Sequence, residues 1–204
     1  MNSITIVGIG PGATDLVTPA ALEALENCDL IVGGRRNLKT FDYLHKEVLE
    51  FDSGLKDMLE RIELLKTNNK ICVAVSGDPG FYSLLDAFVS KFGEAELNVI
   101  PGISSFQYLF SKLSKSWKNY ELISLHGRVF EEIDFSKKAG VFLLTDKRNS
   151  PSAIAAHLIG RGYYDMKMIV GENLSYDDER ITISRPEAIK DMDFSDLSVV
   201  VVER

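Results

Sequence analysis

The sequence predicts an α/β protein in two halves, the first built on a mostly parallel sheet and the second on a mixed one. Two observations carry this reading. Three short apolar runs in the first half, at 4–7, 70–75 and 97–100, each empty into a loop rich in Gly, Pro, Ser or Asp and then into a helical stretch. That repeat of strand, loop and helix is the signature of parallel strands joined by crossovers. After the polar stretch Ser114-Lys115-Ser116-Trp117-Lys118-Asn119, strands outnumber helices, which favours a mixed sheet and sets a boundary between residues 1–114 and 119–204.

The first half opens with Ile4-Thr5-Ile6-Val7, β-branched throughout, feeding Gly8-Ile9-Gly10-Pro11-Gly12, where glycines at alternate positions let a ligand touch backbone. Thr18-Pro19, a capping hydroxyl before a proline at the first helical position, starts a helix over 20–28. Leu30-Ile31-Val32 is a strand, and a mixed polar stretch runs from Asn37 to Asp52. Ser53 caps a helix whose Leu55, Met58, Leu59, Ile62 and Leu65 recur at helical spacing. The strand 70–75 is apolar on both faces, as central parallel strands are. It ends in Ser76-Gly77-Asp78-Pro79-Gly80, followed by a helix over 81–92. The strand 97–100 ends in Pro101-Gly102-Ile103-Ser104-Ser105, followed by a helix over 106–113.

The second half reads as strands at 120–125, 140–144, 166–170, 180–183 and 197–202. One helix opens at Ser150-Pro151 and runs to Gly160, and a short one starts at Pro186. Trp117, at the boundary, is a candidate for packing between the halves.

Gly8-x-Gly10-x-x-Ala13 satisfies the pattern of a dinucleotide-binding loop. That motif starts its helix inside the glycine run, so that N–H groups and the dipole face a pyrophosphate. Here Pro11 removes a donor mid-loop and the helix signal comes only at Thr18-Pro19. No acidic residue closes the second strand either, although Arg35 or Arg36 leaves an NADP-dependent reductase as the alternative reading.

With 204 residues, 45% of them hydrophobic, the chain can bury a core in one large domain or two small ones. No apolar run approaches the ~20 residues that cross a bilayer. A cytoplasmic protein without membrane contact is therefore expected. Two separated cysteines and three histidines suggest neither a disulfide framework nor a metal cluster. A net charge of −7 argues against a nucleic-acid surface, yet leaves room for an anionic ligand held by a few arginines.

In an open parallel sheet the loops at the carboxyl ends of strands gather on one edge, where ligands bind. Taken together and in order, Gly8-x-Gly10-Pro11-Gly12, Ser76-Gly77-Asp78-Pro79-Gly80 and Pro101-Gly102-Ile103-Ser104-Ser105 resemble the loops of the tetrapyrrole methylases, the class III S-adenosylmethionine-dependent methyltransferases. The likeness spans essentially the whole chain. Val32-Gly33-Gly34-x-Arg36, Ser124-Leu125-His126-Gly127-Arg128 and Gly171-Glu172-Asn173-Leu174-Ser175 resemble the branch that methylates C5 of the corrin precursor in cobalamin synthesis. Because the chain stops at Arg204, the stand-alone enzyme of the anaerobic, cobalt-early route is expected.

The resemblance implies a homodimer of two α/β halves with a cleft between them. S-adenosyl-L-methionine would be the methyl donor and a cobalt-precorrin macrocycle the substrate, with transient contact to the C15-methyltransferase of the pathway. It places Pro11, Ser76, Gly77, Asp78, Phe81, Ser104 and Ser105 against the donor. Thr145 and Leu174 follow from the second half, touching it through backbone because both side chains depart from the family's usual residues. The glycines at 10 and 102 are expected to leave room for the ligand.

Methyl transfer to an electron-rich ring carbon is an in-line displacement that gains most from alignment and from exclusion of water, so no strong base is required. Asp78 can accept hydrogen bonds from the donor's amino or hydroxyl groups, or cap the helix after it. Arg35, Arg36 and Arg128 are candidates for the macrocycle's carboxylates, since arginine pairs with carboxylate through two parallel bonds. His126 is the candidate catalytic group, able to hydrogen-bond substrate or shuttle a proton. His157, on an apolar stripe, reads as structural.

Overall fold

The structure is a computed structural model describing residues 4–51, 54–128 and 138–204. The chain divides into two compact units, 1–104 and 105–204.

The first unit is a five-stranded parallel sheet in the order β3-β2-β4-β1-β5. Its strands are β1 (Ile4–Gly8), β2 (Leu30–Gly33), β3 (Glu47–Glu50), β4 (Ile71–Val75) and β5 (Leu97–Ile100). The period of two along each strand divides the apolar side chains between the faces. Ile4 and Ile6 of β1 and Ile71, Val73 and Val75 of β4 join Met58 and Ile62 of α3 (Leu55–Leu65) and Phe88 and Phe92 of α4 (Leu85–Phe92). Val7, Cys72 and Ala74 face the other way, against Ala21 and Leu25 of α1 (Pro19–Asn27) and Leu38 of α2 (Arg35–Lys39). Both faces are covered, which is why β4 reads as one unbroken apolar run. Cys28 and Cys72 are buried free thiols in this second cluster.

Thr18 caps α1 as its sequence requires, its hydroxyl accepting the Ala21 N–H at 3.2 Å, with Pro19 in the first turn. Other elements differ from expectation. The stretch 37–52 holds the end of α2 and the strand β3, whose residues are mostly exposed on the sheet's edge and so lack a buried face to read. The helix expected from Phe81 begins only at Leu85, because Tyr82 adopts a left-handed backbone (φ 49°). The expected cap at Ser53 lies outside the described residues; Gly54 precedes α3.

The second unit is a mixed sheet in the order β6-β7-β10-β8-β9. It comprises β6 (Tyr120–Ser124), β7 (Gly140–Leu144), β8 (Lys167–Glu172), β9 (Arg180–Ser184) and β10 (Ser198–Glu203). β6 and β7 are parallel; every other pairing is antiparallel. One face carries Val141, Leu143, Met168, Val170, Val200 and Val202 under Ile154 and Leu158 of α6 (Pro151–Gly160) and Ile189 of α7 (Pro186–Ile189).

α5 (Ser105–Lys112) belongs to this second unit, ahead of the polar stretch that marks the boundary in the sequence. Aromatic packing explains why. Phe106 lies edge-on to Phe142 with centroids 5.9 Å apart, and Phe110 is edge-on to Tyr120 at 4.7 Å. Such pairs add to the area they bury. A Cβ on Gly171 would come 3.2 Å from Leu109, so the glycine lets α5 lie close to β8. Trp117 packs on Phe106 within this unit, at 5.8 Å.

Candidate functional site

In the first sheet β1 lies between β4 and β5, all parallel, so the loops that leave these three strands are neighbours on one edge. Gly10 and Gly77 join two of them. The Gly77 N–H donates to the Gly10 carbonyl at 2.8 Å and the Gly10 N–H to the Gly77 carbonyl at 3.3 Å. Both glycines hold left-handed backbone, φ 78° and 68°, which a side chain would oppose.

The third loop is drawn in by absence of side chains. A Cβ on Gly102 would stand 2.2 Å from the Gly77 carbonyl oxygen and 2.7 Å from Gly8 carbon, and one on Gly8 would stand 2.5 Å from the Gly102 nitrogen. The expectation that Gly102 leaves space for a ligand is therefore corrected: neighbouring backbone fills that space. At Gly10 the nearest atom to an added Cβ is the Leu16 carbonyl oxygen, at 3.1 Å.

Asp78 fastens the same loops. Its Oδ1 accepts the Gly80 N–H at 2.9 Å, closing a tight turn, and its Oδ2 accepts the Gly102 N–H at 3.1 Å. It caps no helix, since α4 starts seven residues later, at Leu85. Ser104 is buried, its Cα 3.6 Å from where a Gly77 Cβ would be, so the β5 loop leans on the β4 loop there too. Phe81 is half-buried and edge-on to Tyr82 at 5.0 Å. Pro11 follows directly on the Gly10–Gly77 bridge, and Ser105 opens α5.

Arg36, on α2, donates from Nη2 to the Ser76 hydroxyl at 3.3 Å, which brings a predicted substrate residue to a predicted donor residue. Arg35 beside it is exposed. Sequence reading passed over Asn37, which accepts the Ser76 hydroxyl and donates to the Ala74 carbonyl. Its only signal was adjacency to the Gly33-Gly34-x-Arg36 motif.

The second unit gathers its own residues on one sheet edge. β6, β7 and β8 run in the same direction, so the turns after them meet the start of β10. Thr145 donates its hydroxyl to the Ser198 carbonyl at 2.5 Å, and Leu174 is buried against Gly171. Both side chains are thus engaged within the second unit. Asn173 and Ser175 hold left-handed backbone around Leu174, φ 46° and 69°. Glu179 fixes this turn by accepting the Ser175 N–H at 2.7 Å, and the buried Glu172 is held by both Nε and Nη2 of Arg180, at 2.6 and 2.9 Å.

His126 and Arg128 are exposed in the turn after β6. Asp146 ties that turn to the one after β7. It accepts the N–H groups of Asn149 and Gly127, both at 2.7 Å, and those bonds hold its carboxyl below the usual range. Asn149 completes the clasp by donating to the carbonyls of Leu125 and Arg128. His157 is half-buried on α6; burial and then Arg161 push its imidazole down, keeping it neutral, as suits a structural residue.

The donor set on the first sheet edge suits a nucleoside that carries hydroxyl and amino groups. It offers a serine hydroxyl, a carboxylate, irregular backbone and a half-buried ring. It suits a pyrophosphate poorly, because α1 begins at Pro19, beyond a 3-10 turn over Thr14–Leu16. Among the described residues no group of three His, Cys, Asp or Glu is placed to hold a metal ion. No helix there is long and apolar enough to cross a membrane.

The chain belongs to the Tetrapyrrole (Corrin/Porphyrin) Methylases, whose family model matches residues 3–189, and the alternative of a reductase falls with that. Within the family it is 37% identical over 180 residues to the cobalt-precorrin-7 C(5)-methyltransferase of Salmonella typhimurium, spanning 87% of this chain and 88% of that one. It is 36% identical over 213 residues to a Methanocaldococcus jannaschii protein named "Probable cobalt-precorrin-7 C(5)-methyltransferase", spanning 98% and 97%. Its fold is similar to that of a uroporphyrin-III C-methyltransferase from Thermus thermophilus complexed with S-adenyl homocysteine. The TM-score is 0.79 at 18% identity, over 98% of this chain and 97% of that one. The protein is a methyltransferase by family.

Proposed function

We propose that this enzyme transfers the methyl group of S-adenosyl-L-methionine to C5 of cobalt-precorrin-7 in anaerobic cobalamin biosynthesis. The observation that carries the reading is the three-loop edge. Gly10–Gly77 and Asp78–Gly102 lock the ends of β1, β4 and β5 together, in a chain more than a third identical to cobalt-precorrin-7 C5-methyltransferases over most of its length.

When bound, the donor supplies an electrophilic methyl on a sulfonium: the ring carbon's electron pair forms the new C–C bond as the S–C pair returns to sulfur. The chain's part is alignment and exclusion of water. Ser76, Gly77, Asp78, Phe81, Ser104, Ser105 and Pro11 would hold the donor, with backbone of Thr145 and Leu174 completing its surroundings. Ser76 spends its one proton on Asn37, so toward a ligand it acts as an acceptor, suited to a ribose hydroxyl or an ammonium. The fixed backbone of the β4 and β5 loops presents its polar groups without reorganisation, which is where such a site gains rate. Arg35, Arg36 and Arg128 would meet the macrocycle's carboxylates. His126 would accept the proton that the ring carbon's neighbourhood releases. A homodimer in the cytoplasm, handing product to a C15-methyltransferase, completes the proposal.

The test is incubation with cobalt-precorrin-7 and S-adenosyl-L-methionine, followed by mass spectrometry and NMR of the product. A gain of one methylene mass, located at C5, is expected. Binding of NADPH in place of S-adenosylhomocysteine, or methylation at another ring position, would overturn the reading.

A further inference from the structure

Arg36 stands at the end of a directed chain of hydrogen bonds that starts on the sheet. Asn37 Nδ2 donates to the Ala74 carbonyl at 3.2 Å, Asn37 Oδ1 accepts the Ser76 hydroxyl at 2.9 Å, and Ser76 Oγ accepts Arg36 Nη2 at 3.3 Å. Each link fixes the next. A strand carbonyl only accepts, so the Asn37 amide must turn its oxygen to Ser76. Ser76 then has no proton left for Arg36 and must accept from it.

The glycine before α2 makes the arrangement possible. A Cβ on Gly33 would stand 3.3 Å from both the Ala74 carbonyl oxygen and Leu38 Cδ2, so this position lets α2 press onto β4. Gly34 then turns the chain into the helix in extended backbone, φ −69° and ψ 152°. The helix is short: Leu38 is buried beneath it, and Arg36 and Asn37 reach Ser76 at the β4 exit.

The outcome is an exposed guanidinium pinned beside the Ser76–Asp78 loop by a single hydrogen bond, to a neutral hydroxyl. Among the described residues no carboxylate pairs with it, although acidic residues outnumber basic ones in the chain, 30 to 23. A guanidinium has five N–H donors in a planar fork, and one long bond to a hydroxyl leaves that fork open. Holding it there also lowers the entropy lost when it captures a ligand.

Resting on the functional reading above, we infer that Arg36 is the specificity residue of the reaction. Its fork takes one acidic side chain of the macrocycle, and Asn37 and Ser76 are the positioning residues that aim it. The anchored carboxylate lies next to the donor loop, which sets the ring position offered to the methyl group. Arg35, on the same helix, has no such tether among the described residues.

The experiment compares wild type with Arg36→Gln, Arg36→Lys, Asn37→Ala and the exposed-face control Lys39→Gln. Four quantities are read: S-adenosylhomocysteine affinity by calorimetry, cobalt-precorrin-7 affinity by absorbance titration, and kcat and KM separately. Arg36→Gln is expected to weaken macrocycle binding and raise KM by about tenfold to a hundredfold, the range for a charge-assisted pair. S-adenosylhomocysteine affinity should hold within about twofold. Arg36→Lys should recover part of the loss, Asn37→Ala should fall between, and Lys39→Gln should match wild type. Unchanged macrocycle affinity in Arg36→Gln, or a loss of S-adenosylhomocysteine affinity instead, overturns this assignment alone. A wild-type protein that binds no macrocycle overturns the functional reading as well.

Discussion

The Asp78 carboxylate in the loop after β4 accepts the backbone N–H of Gly102 in the loop after β5, at 3.1 Å, reaching across the end of the strand between them. Its other oxygen is held by the Gly80 N–H, so one side chain sets the shape of its own loop and its distance from another. Asp78→Ala is expected to weaken S-adenosylhomocysteine binding by about 1–3 kcal/mol, since two backbone donors lose a charged acceptor. Asp78→Asn should lose less, keeping an oxygen for one of them. Calorimetry on both variants, with a thermal melt as a folding control, checks this; equal loss in the two would point to the charge and not to the clasp.

Glycine positions in this chain have opposite expected fates. Gly102→Ala puts a methyl 2.2 Å from the Gly77 carbonyl oxygen, backbone against backbone, so unfolding free energy should fall by about 2 kcal/mol or more. Gly160→Ala, at the end of α6, where among the described residues nothing beyond its own turn of helix lies within 4 Å of the new carbon, should raise it by about 0.5–1 kcal/mol. Urea titrations of the two variants test the contrast directly.

Glu203, almost fully buried at the end of β10, accepts hydrogen bonds from Lys115, Lys167 and, at 2.6 Å, the Tyr120 hydroxyl. Burial by itself pushes this carboxyl up, but the bonds from Lys115, Tyr120 and Lys167 outweigh it and hold the group below the usual range. Burial first, then the carboxylate, pushes the Tyr120 phenol up to about 12, so it stays a donor. With the folded value of Glu203 below the unfolded one, its stabilisation is complete above the unfolded carboxyl pKa of about 4.3 and is lost as pH falls through the folded value. Melting temperature should therefore be flat from pH 7 to about 5 and drop below about 4. Glu203→Gln should lower stability at neutral pH by about 1–3 kcal/mol and flatten that acid slope.

Removing Arg180 strips the buried Glu172 of the cation that meets both its oxygens, leaving among the described residues the Ser195 N–H, at 2.9 Å. Arg180→Ala is expected to loosen the turn carrying Leu174 and to lower stability, because the buried Glu172 carboxylate loses the cation that meets both its oxygens. Arg180→Ala,Glu172→Gln should recover part of it. Hydrogen exchange at Asn173 and Ser175 reads the loosening locally.

His126 is exposed in a turn whose backbone is fixed by Asp146 through Gly127, so its replacement should not disturb the fold. His126→Ala is expected to lower kcat with S-adenosylhomocysteine affinity and melting temperature unchanged. Normal turnover would leave the imidazole without a part in the reaction.

What the sequence by itself determined was the alternation of strand, loop and helix in the first half, the mixed sheet in the second, the Thr18-Pro19 helix start and the loops that would share an edge. These follow from short-range causes: side-chain period, capping and the freedom of glycine. The tertiary structure alone decided what each group in those loops does. Gly102 reads as ligand space until the Gly8 and Gly77 backbones are seen to occupy it, and a helix cap stays open to Asp78, beside contact with the methyl donor, until Tyr82 delays the helix and Gly102 arrives across β1. β3 and α2 escaped notice because an exposed edge strand and a five-residue helix bury too little to leave a period. The place of α5 was hidden for a like reason. The polar stretch after it marks a change of composition, whereas its home is set by where Phe106 and Phe110 find aromatic partners, on strands that come later in the chain.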